Sequence, residues 1–144
     1  MNIAIRKAHI SDAGTIAGLL GELGYPTSPE EAEDRLRAAK RSASDVVLVA
    51  VDGEKVVGFV SLHVMLYFTM GHRVCRVLAI AVTEKARGQG IGRQLMDVAE
   101  MQARSMDCKA VEVTSADHRE GAHAFYTRLG YPKTSAKFLK FLDD

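Results

Sequence analysis

The chain has little of the features that mark several specialised classes of protein. Tryptophan is absent, only two cysteines and three prolines occur in 144 residues, and 19 basic residues almost balance 18 acidic ones. A net charge of +1, with the charges scattered, argues against nucleic acid or a membrane surface as the main partner. No apolar run reaches the length of a membrane span, and residues 1–7 lack the apolar stretch of a signal peptide. The sequence therefore predicts a cytoplasmic protein.

The two cysteines offer no framework for a metal or a disulfide. Cys75 and Cys108 lie far apart, and neither belongs to a CxxC pair. Zinc sites and disulfide scaffolds need paired or regularly spaced cysteines. We expect two reduced and mostly buried thiols, and no metal ion.

The apolar content of 47% is enough for a substantial core, and the length predicts one domain over residues 1–144. Hydrophobic periodicity and turn signals predict the order β-α-α-β-β-β-α-β-α-β. Hairpins fill the first half, where Asp52-Gly53 is a turn signal, and crossover connections fill the second half. The fold class is therefore α+β (mixed α/β), with a central, mostly antiparallel mixed sheet flanked by helices. The predicted strands are 3–7, 46–51, 56–66, 74–82, 110–114 and 135–142.

Polar and special residues set the predicted helix ends. Ser11 or Asp12 is predicted to cap the first helix, and Gly24 to stop it. The second helix is predicted to begin with a capping box formed by Ser28 and Glu31. The third is expected over about 91–106, and the fourth ends at Gly130.

One stretch combines an apolar strand, a charged turn, a glycine-rich loop and a helical segment. The apolar run ends at Val82, and the loop spans Arg87-Gly88-Gln89-Gly90-Ile91-Gly92. This order directs the loop and a helix N-terminus at one point, where free backbone N–H groups bind anions. A phosphorylated cofactor is the expected occupant.

Two familiar phosphate-binding patterns do not fit the loop. A Walker loop needs Gly-Lys-Ser/Thr after four spacer residues, and the chain has none. A dinucleotide fingerprint needs a third glycine where Arg93 stands, and it follows a first strand rather than a fourth. The remaining pattern is Arg87-x-x-Gly90-x-Gly92.

That pattern resembles the acyl-CoA pyrophosphate loop of the GNAT (GCN5-related N-acetyltransferase) superfamily. Ile80-Ala81-Val82 resembles the short apolar triplet of the family's fourth strand, a few residues before the loop. The segment Ala122-His123-Ala124-Phe125-Tyr126-Thr127-Arg128-Leu129-Gly130-Tyr131 is similar to the family's FY…GY helix end. The order of elements matches over essentially the whole chain. The resemblance implies a single GNAT domain that binds acetyl-CoA.

The resemblance also implies which residues hold acetyl-CoA. Backbone groups of Ile80 and Val82 would pair with the pantetheine arm like an added strand, and one of these N–H groups would hold the thioester oxygen. Ser115 would contact pantetheine or the substrate amine through water. The implied cofactor-binding residues are Ile80, Ala81, Val82, Arg87, Gly88, Gln89, Gly90, Ile91, Gly92, Arg93, Ser115 and Tyr126.

Acetyl transfer to an amine involves two proton transfers, and each needs a group of the protein that accepts or donates the proton. Tyr126 matches the family position that protonates the departing CoA thiolate. The carboxylate that many members carry on the fourth strand is missing, because Leu78 and Ala79 stand there. Glu112 on the neighbouring strand is the candidate base. Asp117, His118 and a water chain to bulk solvent stay open as alternatives.

The acceptor site is less defined by the sequence. The family implies that the first helices and the connection between the third and fourth strands line it. The candidate substrate-binding residues are Tyr25, His63, Tyr67, Phe68 and His72. Tyr67, Phe68 and His72 would form an aromatic wall, or alternatively a packed edge or a subunit contact.

The predicted function is transfer of an acetyl group from acetyl-CoA to a primary amine of a small molecule or peptide. Transfer is expected to be direct, in a ternary complex, without a cysteine intermediate. The alternative is a catalytically weak acyl-CoA-binding module of the same fold. An acetyltransferase acting on tRNA or protein N-termini is a third hypothesis, and the near-neutral charge argues against tRNA. A homodimer is predicted through the last strand, which has the character of an edge.

Overall fold

The computed structural model describes residues 2–114, 120–134 and 137–142. The chain divides into two compact units, residues 1–114 and 115–144. No helix in the described part of the chain is long and apolar enough to cross a membrane. The strands of the first unit are β1 (Ile3–Lys7), β2 (Asp45–Asp52), β3 (Lys55–Tyr67), β4 (His72–Val82) and β5 (Cys108–Val113). Its helices are α1 (Ala13–Glu22), α2 (Pro29–Lys40) and α3 (Ile91–Ser105), and the second unit contains α4 (Glu120–Arg128).

The five strands form one sheet in the order β1-β2-β3-β4-β5. The first four are antiparallel neighbours, whereas β5 runs parallel to β4. A crossover through α3 makes that parallel connection, as a parallel pair requires. Gly53, with φ of 64°, closes the β2–β3 hairpin. The predicted mixed, mostly antiparallel sheet is therefore confirmed.

Apolar side chains cover both faces of the sheet. On one face, here called the α1/α2 face, Val49, Phe59 and Ala81 join a buried cluster with Ile16 of α1 and Leu36 of α2. The opposite face, here called the α3 face, carries Val60 and Leu62, since successive strand residues alternate in direction. Helix α3 packs on β3, β4 and β5. Its buried side chains are Ile91, Leu95, Met96, Ala99 and Ala103.

Helix ends follow the sequence with one exception. Ser28 and Glu31 form the predicted capping box, with N–H···O distances of 3.0 and 2.9 Å. Gly24 ends α1 in a left-handed conformation, with φ of 97°. Asp12 precedes α1 but makes no side-chain cap. Its carboxylate instead accepts hydrogen bonds from Arg6, at 2.8 Å, and from the backbone N–H of His9, at 2.7 Å. Asp12 therefore occupies the predicted N-cap position of α1, but its side chain does not cap that helix.

The end of the chain differs from its prediction. Residues 135–142 were expected to form a last strand, but 137–142, the part that the structure describes, has no regular secondary structure. Phe138, Leu139, Phe141 and Leu142 are exposed there. Apolar residues in adjacent pairs do not give a strand one buried and one polar face, so its register is weakly specified. The tenth predicted element, and the edge invoked for a homodimer, therefore lack structural support.

Candidate active site

The glycine-rich loop lies between β4 and the N-terminus of α3. Gly88 and Gly90 have φ of 80° and 78°, a left-handed conformation that glycine adopts without strain. No atom beyond the chain neighbours lies within 4 Å of where a Cβ at either position would stand. The loop therefore turns sharply and leaves open space around its backbone.

The first turn of α3 has the electrostatic character of an anion site. Gly90 is the N-cap and provides no side chain to cap the helix, and the first turn holds no acidic residue. The first N–H groups of a helix lack intrahelical partners, and they carry its partial positive charge. Gly92 and Arg93 stand in this turn, and the Arg93 side chain is exposed. These groups can bind a phosphate without any change in the helix.

Arg87 is held in place by two neighbours. Its Nε donates to the carbonyl oxygen of Val82 at 3.0 Å, and its Nη2 lies 3.7 Å from a carboxylate oxygen of Glu22 in α1. The same Glu22 oxygen accepts the backbone N–H of Glu84 at 3.3 Å. The arginine therefore ties the start of the loop to the end of β4 and to α1.

The described pairing of β4 with β5 ends before β4 does. Their parallel pairing ends at Val77 with Val113, while β4 continues to Val82. The β3–β4 register passes from Ser61 with Ala79 to Leu62 with Val77, so Leu78 is the extra residue of a bulge. Bulges leave one residue unpaired and bend their strand. The bulge and the end of this pairing coincide, so residues 78–82 of β4 have no β5 partner among the described residues, and this stretch is here called the gap in the β4–β5 pairing.

A polar cluster spans β3, β4 and β5 next to this gap. Arg76 donates from Nε to Glu112 Oε1 at 2.5 Å and from Nη2 to the Tyr67 hydroxyl oxygen at 2.9 Å. The Tyr67 hydroxyl donates to the same glutamate oxygen. Burial and the hydrogen bond to Glu112 raise the pKa of Tyr67, and the hydrogen bond to Glu112 raises the pKa of Arg76. The carboxylate predicted as a base is thus engaged by two donors.

A second polar pair continues the cluster across the sheet. His63 Nδ1 lies 2.8 Å from Asp45 Oδ1. Asp45 pairs with His63, His63 with Arg76, and Arg76 with Glu112 in the sheet register. Directly opposed residues in a sheet share a face, so these side chains form one polar row over four strands. Of the candidate substrate-binding residues, the structure brings His63 and Tyr67 together here.

The other candidate substrate residues do not form the predicted aromatic wall. Phe68 is 96% exposed, so little of the protein contacts its ring. His72 begins β4, and its Nδ1 lies 3.5 Å from the carbonyl of Arg73. Tyr25 follows α1 and is also exposed. The turn after Tyr67 directs Phe68 to solvent, and the substrate-binding roles of Tyr25, Phe68 and His72 stay predictions.

Tyr126 belongs to α4 in the second unit. Its half-buried ring packs edge-on against Phe125, with ring centroids 5.2 Å apart, and against Tyr131, at 6.3 Å. The N–H of Tyr131 donates to the Tyr126 carbonyl at 2.9 Å, around a left-handed Gly130. This is a Schellman helix end, which explains why the FY…GY pattern needs its glycine at that spacing. Ser115, Asp117 and His118 lie outside the described residues.

The cysteines are not poised as nucleophiles. Burial raises the pKa of Cys75 to about 11, and the residue is fully buried. Burial also raises the pKa of Cys108. A thiol with a raised pKa supplies little thiolate at neutral pH. In the described part of the chain, no cluster of three potential metal ligands occurs.

Comparison with known proteins assigns the chain to a family. The model of the Acetyltransferase (GNAT) family matches residues 15–131. The chain belongs to this family. The aminoalkylphosphonate N-acetyltransferase of Salmonella typhimurium is 33% identical over 94 residues, which cover 65% of this GNAT chain and 61% of that protein. The chain thus matches less than two thirds of that relative's length.

Solved structures share the fold of this chain. A structure described as a transcriptional regulator from Bacillus halodurans has a TM-score of 0.87 and 28% identity, covering 99% of this GNAT chain and 100% of that one. A GNAT family acetyltransferase from Staphylococcus aureus has a TM-score of 0.83 at 24% identity, with the same coverage. The latter likeness concerns the fold.

Sequence reasoning missed three residues of this region. Arg76, Asp45 and Glu22 each hold a predicted site residue in place, namely Glu112, His63 and Arg87. Each partner comes from a different strand or helix, so no short-range pattern joins the two. The one signal in the sequence was the charge of Arg76 within the otherwise apolar stretch 74–82.

Proposed function

We propose that this GNAT chain transfers the acetyl group of acetyl-CoA to a primary amine of a small molecule or peptide. The observation that carries the proposal is the stretch of β4 from the bulge at Leu78 to Val82, which has no β5 partner among the described residues and leads into a glycine loop at the N-terminus of α3. The gap offers strand-like backbone to an extended chain, and the loop offers N–H groups to a phosphate. Acetyl-CoA has both parts.

The residues present fit this cofactor. The space around Gly88 and Gly90 and the uncapped first turn of α3 suit a pyrophosphate, with Arg87 and Arg93 adding positive charge. The backbone of Ile80 and Val82 on β4 suits the pantetheine arm. When bound, the cofactor supplies an acetyl thioester. Ser115 and the remaining loop residues keep their predicted cofactor roles.

The residues of the chain have three tasks in such a reaction. They orient the amine, stabilise negative charge on the carbonyl oxygen and move two protons. Backbone N–H groups of β4 beside the bulge suit the second task, because fixed dipoles need no reorganisation. Tyr126 is proposed as the acid that protonates the departing thiolate. Neither cysteine is required, in keeping with direct transfer.

The acceptor is proposed to be a small or peptide amine that the polar row can hold. The row carries charges of both signs, from Arg76 and from the paired carboxylates of Asp45 and Glu112, and a small acceptor with an ammonium group and an acidic group suits such a surface. The Salmonella relative is named for such a substrate, an aminoalkylphosphonate. The cytoplasmic location, the homodimer and the single domain over residues 1–144 stay predictions.

CoA release measured with a thiol reagent tests the proposal. The purified protein is incubated with acetyl-CoA and one amine at a time. The amines are 2-aminoethylphosphonate, spermidine, glucosamine and a peptide that begins with alanine. We expect amine-dependent CoA release with at least one of them, retained by a Cys75→Ala, Cys108→Ala double variant. Binding of acetyl-CoA without release for any amine would favour the alternative, an acyl-CoA-binding module, which the missing carboxylate on β4 supports.

A further inference from the structure

We propose that His63, oriented by Asp45, accepts the proton that the amine must lose before it attacks the thioester. This inference rests on the proposed function and gives it a proton acceptor. A lysine-like ammonium has a pKa of about 10.4, so most of the amine arrives protonated at neutral pH. The residues of β4 beside the gap, Leu78, Ala79 and Ile80, carry no group that takes up a proton.

The carboxylate of Glu112, next to the gap, already takes part in an ion pair. Glu112 Oε1 accepts hydrogen bonds from Arg76 and from Tyr67. Protonating this carboxylate would leave the Arg76 guanidinium without its counter-charge in a part-buried position. Removing one member of such a pair costs more than the pair itself contributes. Glu112 therefore serves to fix Arg76 and Tyr67 in place.

The imidazole of His63 has the geometry that a proton acceptor needs. Its Nδ1 faces Asp45 Oδ1 at 2.8 Å, so a neutral imidazole donates Nδ1–H to the carboxylate. The lone pair then lies on Nε2, on the opposite side of the ring. The carboxylate stabilises the imidazolium once Nε2 has taken a proton. The side chain is 35% exposed, which leaves it open to a ligand.

His63 also lies at the right place in the sheet. It directly opposes Arg76, two residues before Leu78 on β4. Ser61, two residues earlier on β3, opposes Ala79, which lies in the stretch of β4 beyond its described pairing with β5. At about 3.4 Å per residue, His63 is roughly 7 Å along the strand from the level of the gap. An amine that reaches the gap over this face passes the imidazole, or contacts it through one water.

The titratable and charged groups nearest His63 in the sheet lie on β2, β3, β4 and β5. Asp45 on β2 and Arg76 on β4 flank it, Tyr67 shares its strand, and Glu112 lies beyond Arg76. Helix α2, which packs on β2, carries Arg37 and Lys40 in its last turn.

The proton step balances with no further reactant. The ammonium transfers one proton to Nε2, and the neutral amine forms the new C–N bond as the C–S bond breaks. The second amine proton replaces the proton that the departing thiolate takes from the proposed acid, Tyr126. The imidazolium then returns its proton to bulk water, so each cycle yields amide, CoA and one released proton.

Nuclear magnetic resonance of the imidazole C–H groups tests the location. The chain has five histidines, and the signal missing in His63→Gln assigns His63. We expect this signal to shift on saturation with acetyl-CoA and not with adenosine 3′,5′-bisphosphate, which lacks the pantetheine and acetyl groups. An unmoved signal in protein that calorimetry shows to bind acetyl-CoA would overturn this inference alone. Failure to bind acetyl-CoA would overturn the proposed function and this inference together.

The pH dependence of the rate tests the chemical role. With the fastest amine of the panel, His63→Gln should lower kcat at least about 100-fold and remove the acid limb of the kcat/KM profile. The KM for acetyl-CoA should stay within about twofold of the wild type, because binding does not use the imidazole. Asp45→Asn should lower kcat by a smaller factor. His9→Gln, at an exposed position outside this cluster, should leave kcat unchanged.

Two kinetic results would overturn the assignment. One is a His63→Gln variant that keeps the wild-type pH profile. The other is a wild-type protein that acetylates no amine of the panel, which removes the reaction that His63 would serve.

Discussion

Replacing Gly58 by alanine tests how tightly β4 is held beside the cofactor site. Gly58 lies on β3 opposite Val82. A Cβ there would stand 2.9 Å from the carbonyl oxygen of Ala81, 3.3 Å from Leu95 Cδ1 and 3.4 Å from Val82 Cγ2. The first contact is with backbone, so relieving it requires β4 to move. That strand segment is the one proposed to bind the pantetheine arm.

The expected cost follows from two opposing effects. Overpacking a dense core costs about 1–3 kcal/mol. Loss of unfolded-state freedom on replacing glycine by alanine returns about 0.4–1 kcal/mol. We expect a net loss of about 1–2 kcal/mol, which lowers Tm by roughly 3–6 °C for a chain of this size. Displacing the Ala81 carbonyl should also weaken acetyl-CoA binding, by about tenfold for each 1.4 kcal/mol lost.

Urea unfolding and calorimetric titration with acetyl-CoA measure the two effects. Gly18→Ala is the matched control, because Gly18 is an exposed position of α1 where an added methyl group would have no atom within 4 Å outside its own helix turn. It should stabilise the protein by about 0.5–1 kcal/mol and leave binding unchanged. A Gly58→Ala protein as stable as the wild type, with unchanged affinity, would show that β4 is not held in this way.

Three further substitutions have defined outcomes. Asp12→Asn should cost about 1–3 kcal/mol at pH 7 in urea unfolding. Because Arg6 lowers the pKa of Asp12, the ionised carboxylate stabilises the folded protein above the ordinary carboxyl pKa, and this stabilisation fades as the pH falls. The stability that Asp12→Asn loses should therefore be smaller at pH 3 than at pH 7. Glu22→Gln should free Arg87 and tighten acetyl-CoA binding severalfold, with stability within about 1 kcal/mol; weaker binding would contradict this. Tyr126→Phe should lower kcat with little change in acetyl-CoA affinity, and unchanged kcat would remove it as the acid.

Much of the fold was predictable because its signals are local. The capping box at Ser28 and Glu31, the hairpin turn at Gly53 and the helix end at Gly130 each depend on a few neighbouring residues. Alternating and helical apolar patterns then fixed most elements to within a few residues. The expected strand 135–142 lacked such a signal, because its paired apolar residues favour neither face.

The polar row was not predictable, because its contacts depend on register. Counting back from the hairpin, where Asp52 pairs with Lys55, would place Asp45 opposite Leu62. The shift between Ala50 and Val51 moves the register by one residue and brings Asp45 opposite His63 instead. Similarly, the pairing of Arg76 with Glu112 depends on how a crossover of some 25 residues returns to the sheet. No spacing of residues in the sequence indicates the register shift in β2 or the register of β5 against β4.

Calorimetric titration with acetyl-CoA decides whether the glycine loop and the start of α3 form the cofactor site. Gly90→Glu places a carboxylate at the N-terminus of α3, where we expect the pyrophosphate. Gly53→Glu is the control, since Gly53 has a similar positive φ and open surroundings but lies in the β2–β3 turn. We predict micromolar binding by the wild type and by Gly53→Glu, and its loss in Gly90→Glu. Absence of binding by the wild type, or equal binding by both variants, would contradict the proposed cofactor site.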